Sequence, residues 1–360
     1  MLIRLEPRGV PSRWWAYGSP VLALGLTLAA TAVIFTALGK DPGRSLYTYF
    51  IAPLVSATAR PELLVKAAPL VLIGIGLSLG FRANVWNIGA EGQYTLGALA
   101  GGGLALWFPE SDSALLLPGM IVAGALGGIA WAAIPALLRT RFNANEILTS
   151  LMLTYVAQQL LIYLVVGPWK DPEGYGFPQS RLFQEAATLP ILVPGTRIHL
   201  GVLAALIMVG LGWLVLAKSA IGFQLKVVGQ APRAARYAGF SQTWLVWLVL
   251  LLSGALSGLA GLFEVAGPVG QLTPQISPGY GFTAIIVAFL GRLNPVGVLF
   301  AGLILALSYL GGEAAQIELG MPSAVTGIFQ GILLFSLLGC DLLILYRVRM
   351  GHAPAIAEAR

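Results

Sequence analysis

Long apolar segments follow one another along almost the whole chain. Hydrophobic residues make up 57% of the sequence and charged residues only 10%, and a membrane-spanning helix needs about 20 predominantly apolar residues. The sequence therefore predicts an all-α, polytopic membrane protein, with residues 1–360 forming a single transmembrane domain. We expect about ten transmembrane helices, at 20–39, 63–81, 88–107, 115–138, 147–166, 199–217, 244–265, 280–291, 295–311 and 323–346.

The eighth segment, 280–291, is too short to cross a bilayer alone. We interpret it as a half-helix, a re-entrant segment, or one arm of a broken hairpin with the ninth segment. Backbone that is not helical at membrane depth is tolerated where it is buried in protein or lines a water-filled cavity. The sequence therefore predicts broken or half-helices that line a path.

The distribution of charge predicts the orientation. If the N-terminus is cytoplasmic, most of the 21 Lys and Arg residues lie inside, and many acidic residues lie outside. Both termini are then cytoplasmic, and the connecting regions are a cytoplasmic N-terminal segment (1–19), an external loop (167–198), a cytoplasmic segment (218–243) and a cytoplasmic tail (347–360). The net charge of +6 is interpreted as a topology signal, and no nucleic-acid partner is predicted.

Motifs for chemistry carried out by the chain itself are absent from the sequence. There is no Gly-x-x-x-x-Gly-Lys-Ser/Thr loop and no His-Glu-x-x-His motif, and the only histidines are His199 and His352. We therefore expect no enzymatic activity, no metal site and no cofactor bound by this chain. An intramembrane hydrolase, with His199 paired to Ser253 or Ser257, is the weakest of the alternatives.

A polar run interrupts the apolar pattern at residues 81–93. A charged side chain near the bilayer centre costs roughly 2.5 to 3.5 kcal/mol on insertion scales, so such residues usually face a cavity or a partner. Two interpretations remain open: these side chains contact a transported solute, or they cap the ends of a broken helix. The candidate residues for a path or gate are Asn84, Trp86, Asn87, Glu91 and Gln93.

A second set of interruptions lies in the C-terminal half. Gly-Pro, Thr-Pro and Ser-Pro-Gly sequences break the chain between Glu264 and Gly281, and a tight turn follows at 291–297. Phe282 and Asn294 are secondary candidates for the path. The two polar breaks indicate weak internal symmetry, which is typical of transporters that bind solute between related halves.

The cytoplasmic segment contains a sequence typical of a short helix. Pro232 suits a first helical turn and Gly239 a C-terminal cap. Small alanines and flanking arginines would let the groove of another protein close around this helix, although an ordinary basic loop also explains the arginines. The candidate residues for coupling to a partner are Lys226, Gly229, Pro232, Arg233, Ala234, Ala235, Arg236 and Gly239.

Glycine is abundant, with 45 residues, and recurs in small-x-x-x-small patterns. Such patterns allow helix backbones to approach closely in a membrane. We expect them to pack helices within the bundle or across a dimer. The clearest examples are Gly97-x-x-x-Gly101, Gly124-x-x-x-Gly128, Ser253-x-x-x-Ser257 and Gly254-x-x-x-Gly258.

Four ordered motifs give the chain a family resemblance that covers nearly its whole length. They are Phe81-Arg82-x-x-Val85-Trp86-Asn87-Ile88-Gly89-Ala90-Glu91-Gly92-Gln93, Asn145-Glu146-Ile147-x-x-Ser150-Leu151-Met152-Leu153-x-Tyr155, Gly222-x-x-x-Lys226-x-Val228-Gly229-x-x-x-x-Ala234-Ala235-x-x-Ala238-Gly239, and Gly281-Phe282-x-x-Ile285-x-Val287-Ala288-x-Leu290-Gly291-Arg292-x-Asn294-Pro295-x-Gly297. With them the chain resembles the permease subunits of bacterial ABC importers for nucleosides and simple sugars, which are related to the ribose and branched-chain amino acid permeases. Many relatives have arginine followed by alanine where this chain has Lys226 and Val227, a departure that keeps the charge.

The resemblance implies a type II importer-like bundle in a bacterial cell membrane. It also implies three protein partners: an ATPase subunit that uses ATP and Mg, a second permease subunit that is either different or identical, and an extracytoplasmic substrate-binding protein. The helix around Pro232–Gly239 would be the coupling helix seated on the ATPase, and the solute would be a nucleoside or simple sugar. The alternative from another class is a secondary transporter driven by an ion gradient.

Overall fold

The computed structural model describes residues 2–8 and 12–351. The part of the predicted tail beyond Gly351, which includes His352 and Arg360, lies outside the described residues. The helices are α1 (Arg13–Ala37), α2 (Pro42–Leu46), α3 (Ala52–Val55), α4 (Ala59–Arg82), α5 (Ala90–Trp107), α6 (Leu116–Phe142), α7 (Glu146–Val166), α8 (Leu200–Lys218), α9 (Ala220–Gln230), α10 (Pro232–Tyr237), α11 (Gln242–Glu264), α12 (Tyr280–Leu290), α13 (Pro295–Leu319) and α14 (Ala324–Leu345). There are also π-helical turns at Tyr47–Ile51 and Val265–Val269 and a 3-10 turn at Glu185–Ala187.

Each of the ten apolar segments forms a helix. Within the described ranges, eight of these helices are long and apolar enough to cross a membrane: α1, α4, α6, α7, α8, α11, α13 and α14. The other two are α5, which has 18 residues and begins with a polar turn, and α12, which has 11 residues. At about 1.5 Å per residue, α12 extends about 16 Å, roughly half of a hydrocarbon core. The predicted all-α bundle with one half-helix is therefore confirmed.

A short β-ribbon was not expected from the sequence. Strand β1 (Leu2–Pro7) pairs antiparallel with strand β2 (Tyr346–Gly351), so that Pro7 lies opposite Tyr346. Tyr, Val and Met alternate with two arginines in β2, a period of two that favours a strand. The prediction of two cytoplasmic end segments did not include this ribbon.

Side-chain caps explain where several helices begin. The side chain of Asn145 accepts a hydrogen bond from the backbone N–H of Ile147 at 2.9 Å at the start of α7. Ser219 and Ser241 cap α9 and α11 in the same way. Because the first turn of a helix has N–H groups without helical partners, these side chains stabilise the helix at its first residue.

The chain forms two compact units. One unit consists of Met1–Ala52 together with Gly311–Arg360. Its described residues pack around a core of Phe35, Tyr49, Ala315, Met321 and Val325. The Ser19 hydroxyl donates a hydrogen bond to the Asp341 carboxylate at 2.8 Å within this unit.

The second unit, Pro53–Leu310, contains all four sequence motifs. Among the helices of this unit that are long enough to cross a membrane, α4 is the most buried, with 83% of its apolar central stretch buried. A helix that is hydrophobic on all sides requires neighbours on all sides, and the contacts of α4 are with α8, α9, α11 and α12. Helix α5 packs against α6, α7 and α11.

Glycines bring α5, α6 and α11 close together. A methyl group added to Gly97 would lie 2.2 Å from the Cα atom of Gly258, and one added to Gly128 would lie 2.0 Å from the carbonyl oxygen of Gly254. Both distances are far below van der Waals contact with backbone that cannot move aside. The small-x-x-x-small patterns therefore mark helix contacts within this unit.

We expect Gly128→Ala to destabilise the second unit by about 1–3 kcal/mol, because the added methyl group forces α6 away from α11. The melting temperature of the purified protein in detergent should fall. Gly210→Ala is the matched control, since Gly210 lies in α8 with no atom within 4 Å of an added methyl group. An equal fall in both variants would contradict this packing argument.

Candidate functional site

The chain stops being helical between Arg82 and Ala90. Asn84 has a φ of 56°, a left-handed conformation that asparagine tolerates better than most residues. Its exposed side chain accepts a hydrogen bond from the indole N–H of Trp86 at 3.1 Å. The polar run of the first motif therefore forms a break between α4 and α5.

The buried side chains of Asn87 and Gln93 stabilise this break. Their amides form two reciprocal hydrogen bonds of 2.8 and 3.0 Å, and the Asn87 amide also donates to the Ser253 hydroxyl at 2.9 Å. The Asn87 carbonyl oxygen accepts from the backbone N–H of Gly89. All three side chains are buried. This closed network favours the capping interpretation for Asn87 and Gln93 over direct contact with a solute.

Glu91 connects the starts of two helices. Its Oε2 atom accepts a hydrogen bond of 2.6 Å from the backbone N–H of Gly281, and the side chain of Ser277 also bonds to it. A methyl group on Gly281 would lie 2.3 Å from the Glu91 backbone nitrogen, so the first turns of α5 and α12 touch. A carboxylate at a helix N-terminus is stabilised by the free N–H groups and the helix dipole.

A cavity of about 230 Å³ opens beside Glu91. It lies between the first turns of α5, the middle of α7 and the loop before α12. Its lining residues are Glu91, Thr95, Gln158, Gln159, Leu161, Ile162, Pro274, Gln275, Ile276 and Ser277. Of the residues predicted for a path, only Glu91 lines it.

Sequence reasoning missed the two α7 amides of this cavity. Gln158 is half-buried and Gln159 exposed, and both lie in the mainly apolar second half of α7. Adjacent glutamines in a predicted span are a signal that could have identified them, because polar side chains in such spans usually face a cavity. Gln275 and Ser277 lie in the proline-containing break and had no separate signal.

The two polar breaks of the unit meet at one place. The Arg82 guanidinium donates through Nε to the carbonyl oxygen of Leu293 at 3.0 Å, which joins the end of α4 to the turn after α12. Beside this contact, Phe81, Trp86 and Phe289 form an aromatic cluster with ring-centre distances of 4.9 to 5.8 Å. The two breaks identified from sequence are therefore in direct contact.

The two secondary candidates lie away from the cavity lining. The Asn294 side chain accepts a hydrogen bond of 3.0 Å from the backbone N–H of Val296, so it caps the start of α13. Phe282 lies in the first turn of α12 with 37% of its surface exposed. The geometry gives Asn294 a structural role and leaves Phe282 as a surface aromatic.

The second motif is joined to the first by a carboxylate. Glu146 forms an ion pair with Arg139, and the backbone N–H of Trp86 donates to the same carboxylate oxygen at 3.4 Å. Glu146 therefore fixes the break after α4 to the ends of α6 and α7.

The predicted short helix is present as α10, but its alanines face different ways. Ala235 is fully buried in a cluster that includes Leu225, Val228 and Leu245, so its side chain is not available to a partner. The outward residues are Pro232, Arg233, Ala234, Arg236 and Tyr237, with Tyr237 99% exposed. Tyr237 is the surface residue that sequence reasoning did not select.

The other residues predicted for coupling lie on α9 and just after the end of α10. Lys226 is exposed on α9, and Gly239 has a φ of 79° after the end of α10. Gly229 packs on the end of α4, because a methyl group there would lie 2.0 Å from the carbonyl oxygen of Arg82. The candidate coupling segment and the polar break are therefore in direct backbone contact.

The external loop predicted at 167–198 is held against the break after α11. Backbone N–H groups of Ser180, Phe183 and Leu189 donate to the carbonyl oxygens of Leu272, Gly270 and Ala266 at 2.8 to 2.9 Å. These bonds run antiparallel along both segments. The loop is therefore bonded to the segment after α11 at several points along its length, and we call it the strap.

His199 begins α8 and does not pair with a serine. Its Nδ1 atom accepts a hydrogen bond from the backbone N–H of Gly201 at 3.1 Å. Burial and then nearby Arg197 lower the pKa of His199 to about 4, which keeps the ring neutral at ordinary pH. Since Ser253 bonds to Asn87, the geometry does not support the hydrolase alternative.

A bundle of apolar helices, with two breaks in direct contact and a polar cavity where α5 and α12 begin, defines a multi-pass membrane protein. The chain belongs to the family described as branched-chain amino acid transport system / permease component, whose model matches residues 61–338. The family resemblance drawn from the four motifs is therefore confirmed.

Three relatives align over most of this chain. The glucose ABC transporter permease protein TsgB13 of Haloferax volcanii is 41% identical over 99% of this chain and 97% of its own length. The guanosine ABC transporter permease protein NupP of Bacillus subtilis is 32% identical over 88% of this chain and 91% of its own. The nucleoside ABC transporter permease protein NupB of Lactococcus lactis is 26% identical over 88% and 89%.

We expect Asn87→Leu to lower the stability of the protein by about 1–3 kcal/mol, because Gln93 and Ser253 lose a buried partner. The readout is the melting temperature in detergent. Asn84→Gly is the control, since it keeps the left-handed backbone of an exposed residue outside the network. An unchanged melting temperature in Asn87→Leu, together with lost solute binding, would favour direct solute contact instead.

Proposed function

We propose that this chain is the membrane-spanning subunit of an ATP-driven importer for a nucleoside or a simple sugar. The observation that carries the proposal is the polar cavity beside Glu91. It lies where α5 and α12 begin, and interrupted helices at membrane depth are typical of solute sites in transporters. The names of the relatives, a glucose permease and guanosine and nucleoside permeases, support this choice of solutes.

The chemistry of the cavity suits an uncharged polar solute. Gln158, Gln159 and Gln275 each carry an amide that both donates and accepts, and Thr95 and Ser277 add hydroxyl groups. Sugar hydroxyls and the edge of a nucleobase need this mixture. In this proposal Glu91 has a positioning role, because its carboxylate already receives the Gly281 N–H.

The outward face of α10 is the proposed contact with an ATPase subunit. Arg233, Ala234, Arg236 and Tyr237 are exposed there, and the buried Ala235 anchors the helix to its own chain. An exposed aromatic residue flanked by arginines is the composition favoured at protein interfaces. ATP and Mg would be bound by that partner, and closure of the partner would push on α10.

The remaining partners follow from the same proposal. A second permease subunit, identical or different, would complete the path, and an extracytoplasmic binding protein would deliver the solute beside the strap formed by residues 167–198. Both termini would be cytoplasmic, and the complex would lie in the cell membrane of a bacterium. Together these partners make an importer in which this chain supplies the route.

We expect Gln158→Leu to raise the KM for solute uptake about tenfold, since one or two hydrogen bonds to a bound solute cost roughly 1–2 kcal/mol when lost. Uptake is measured with the assembled complex in vesicles against a panel of nucleosides and sugars. Gln316→Leu, on α13 and outside the cavity lining, is the control with the same change in side chain. An unchanged KM for every solute transported would contradict the assignment of this cavity.

We expect Ala234→Trp to abolish uptake while the melting temperature of the permease stays unchanged, because the bulky side chain blocks the outward face of α10 only. The control is Ala114→Trp, at an exposed alanine in the loop between α5 and α6. ATP-dependent uptake in the presence of ionophores separates this proposal from the ion-gradient alternative. Wild-type uptake by Ala234→Trp would contradict the coupling assignment.

A further inference from the structure

A second cavity, which the proposed transport path does not use, lies beside α10. Its volume is about 340 Å³, within the range of small-molecule sites. Residues from the break after α4 and from α6, α9, α10 and α11 surround it. They are Ala83, Asn84, Arg139, Thr140, Asn143, Val228, Pro232, Gln242, Thr243 and Val246, and we call this cavity the α10 cleft.

The lining of the α10 cleft contains one charged group, the guanidinium of Arg139. Its Nη1 atom pairs with Glu146, whereas its other N–H groups make no hydrogen bond within the described part of the chain. Glu146 itself is not part of the lining. A planar guanidinium with donors to spare is the side chain best suited to a phosphate or carboxylate.

Three further donors of the α10 cleft are available. The side chains of Asn143 and Thr243 form no hydrogen bond among the described residues, and the Asn84 amide uses only its oxygen, towards Trp86. All three residues are exposed. The lining therefore offers a cation and neutral donors without a carboxylate, which matches a phosphate group on a small polar body.

Surrounding charges reinforce this preference. Arg141, Lys226, Arg233 and Arg236 lie on the elements that form the α10 cleft, and all four are exposed. Glu146, at the start of α7, is already paired with Arg139, and Glu264 is the last residue of α11, at the opposite end of that helix from Gln242 and Thr243. The local field therefore attracts anions.

We propose that the α10 cleft binds the phosphate group of a phosphorylated sugar or nucleoside and holds α10 against α6. This regulatory effect rests on the proposed role of α10 in coupling, whereas the binding itself does not. A ligand seated there contacts α6, α10 and the break after α4 together, so it opposes any movement that separates them. Phosphorylation of an imported sugar or nucleoside would supply such a ligand on the cytoplasmic side.

Binding is tested with the purified permease in nanodiscs of zwitterionic lipid. We expect AMP and ribose 5-phosphate to raise the melting temperature in a concentration-dependent way, and to do so by more than adenosine and ribose, which lack the phosphate and bind only the cavity beside Glu91. Inorganic phosphate serves as the minimal probe. No shift with any phosphate compound would overturn the proposal.

Variants locate the site. Asn143→Gly together with Thr243→Val should weaken binding about tenfold or more, since glycine keeps the left-handed backbone of Asn143 (φ 52°) and valine is close to threonine in shape. Arg139→Gln should abolish binding, but it also breaks the pair with Glu146, so the double variant carries the test. Lys218→Gln is the control because Lys218 is exposed on α8, outside the elements that form the α10 cleft. Equal loss in Lys218→Gln would overturn the site.

Two further measurements identify the source of the phosphate and the effect of its binding. Nanodiscs containing phosphatidic acid show whether a lipid headgroup is the source. If phosphatidic acid competes with AMP, the lipid supplies the phosphate; if it does not compete, a free solute supplies it. In vesicles, AMP on the α10 side should slow uptake by the wild-type complex and not by the double variant. If AMP binds but does not slow uptake, the regulatory effect alone is overturned. If Ala234→Trp still binds AMP as the wild type does, the binding site is independent of the proposed coupling role of α10.

Discussion

Backbone groups inside a membrane have no water to bond with, and this constraint shapes the second unit of the chain. Helices satisfy their own backbone, so each interruption needs partners from the protein. In the break after α4, the backbone N–H of Gly89 donates to the Asn87 side chain and that of Trp86 to the Glu146 carboxylate. Gln93 and Ser253 hold the Asn87 side chain in place. The start of α12 receives such a partner from the Glu91 carboxylate. The cavity beside Glu91 exists because these two helices begin within the bundle rather than at its surface.

Close helix packing gives these interruptions their fixed positions. Glycine at residue 281 lets α12 begin directly against the backbone of Glu91, and Gly97 and Gly258 let α5 and α11 approach without side chains between them. Adding even one methyl group at such a contact would change the distance between the starts of α5 and α12. The polar cavity is therefore held by rigid helices, which is what selective recognition of a small solute requires.

Much of the fold could be predicted from sequence because apolar length and proline or glycine interruptions act locally. The helices, the half-helix 280–290 and the short helix after Pro232 are patterns of this kind. The cavity depends on which helices become neighbours, so the glutamines of α7 gave only a weak signal. Ala234 and Ala235 also look equivalent in sequence, yet packing on Leu225 and Leu245 buries only Ala235.

The contact between Gly229 and the carbonyl oxygen of Arg82 determines how movement of α10 would reach the cavity. Arg82 ends α4, and its side chain holds the turn after α12 through Leu293. A push on α10 and α9 is therefore applied to backbone at the ends of two helices rather than to flexible side chains. Since α12 begins at Tyr280, in contact with Glu91, and is only 11 residues long, a displacement of its far end must tilt or translate the helix start that borders the cavity. The half-helix is short enough to act as a lever, which a helix crossing the whole membrane between fixed ends could not do.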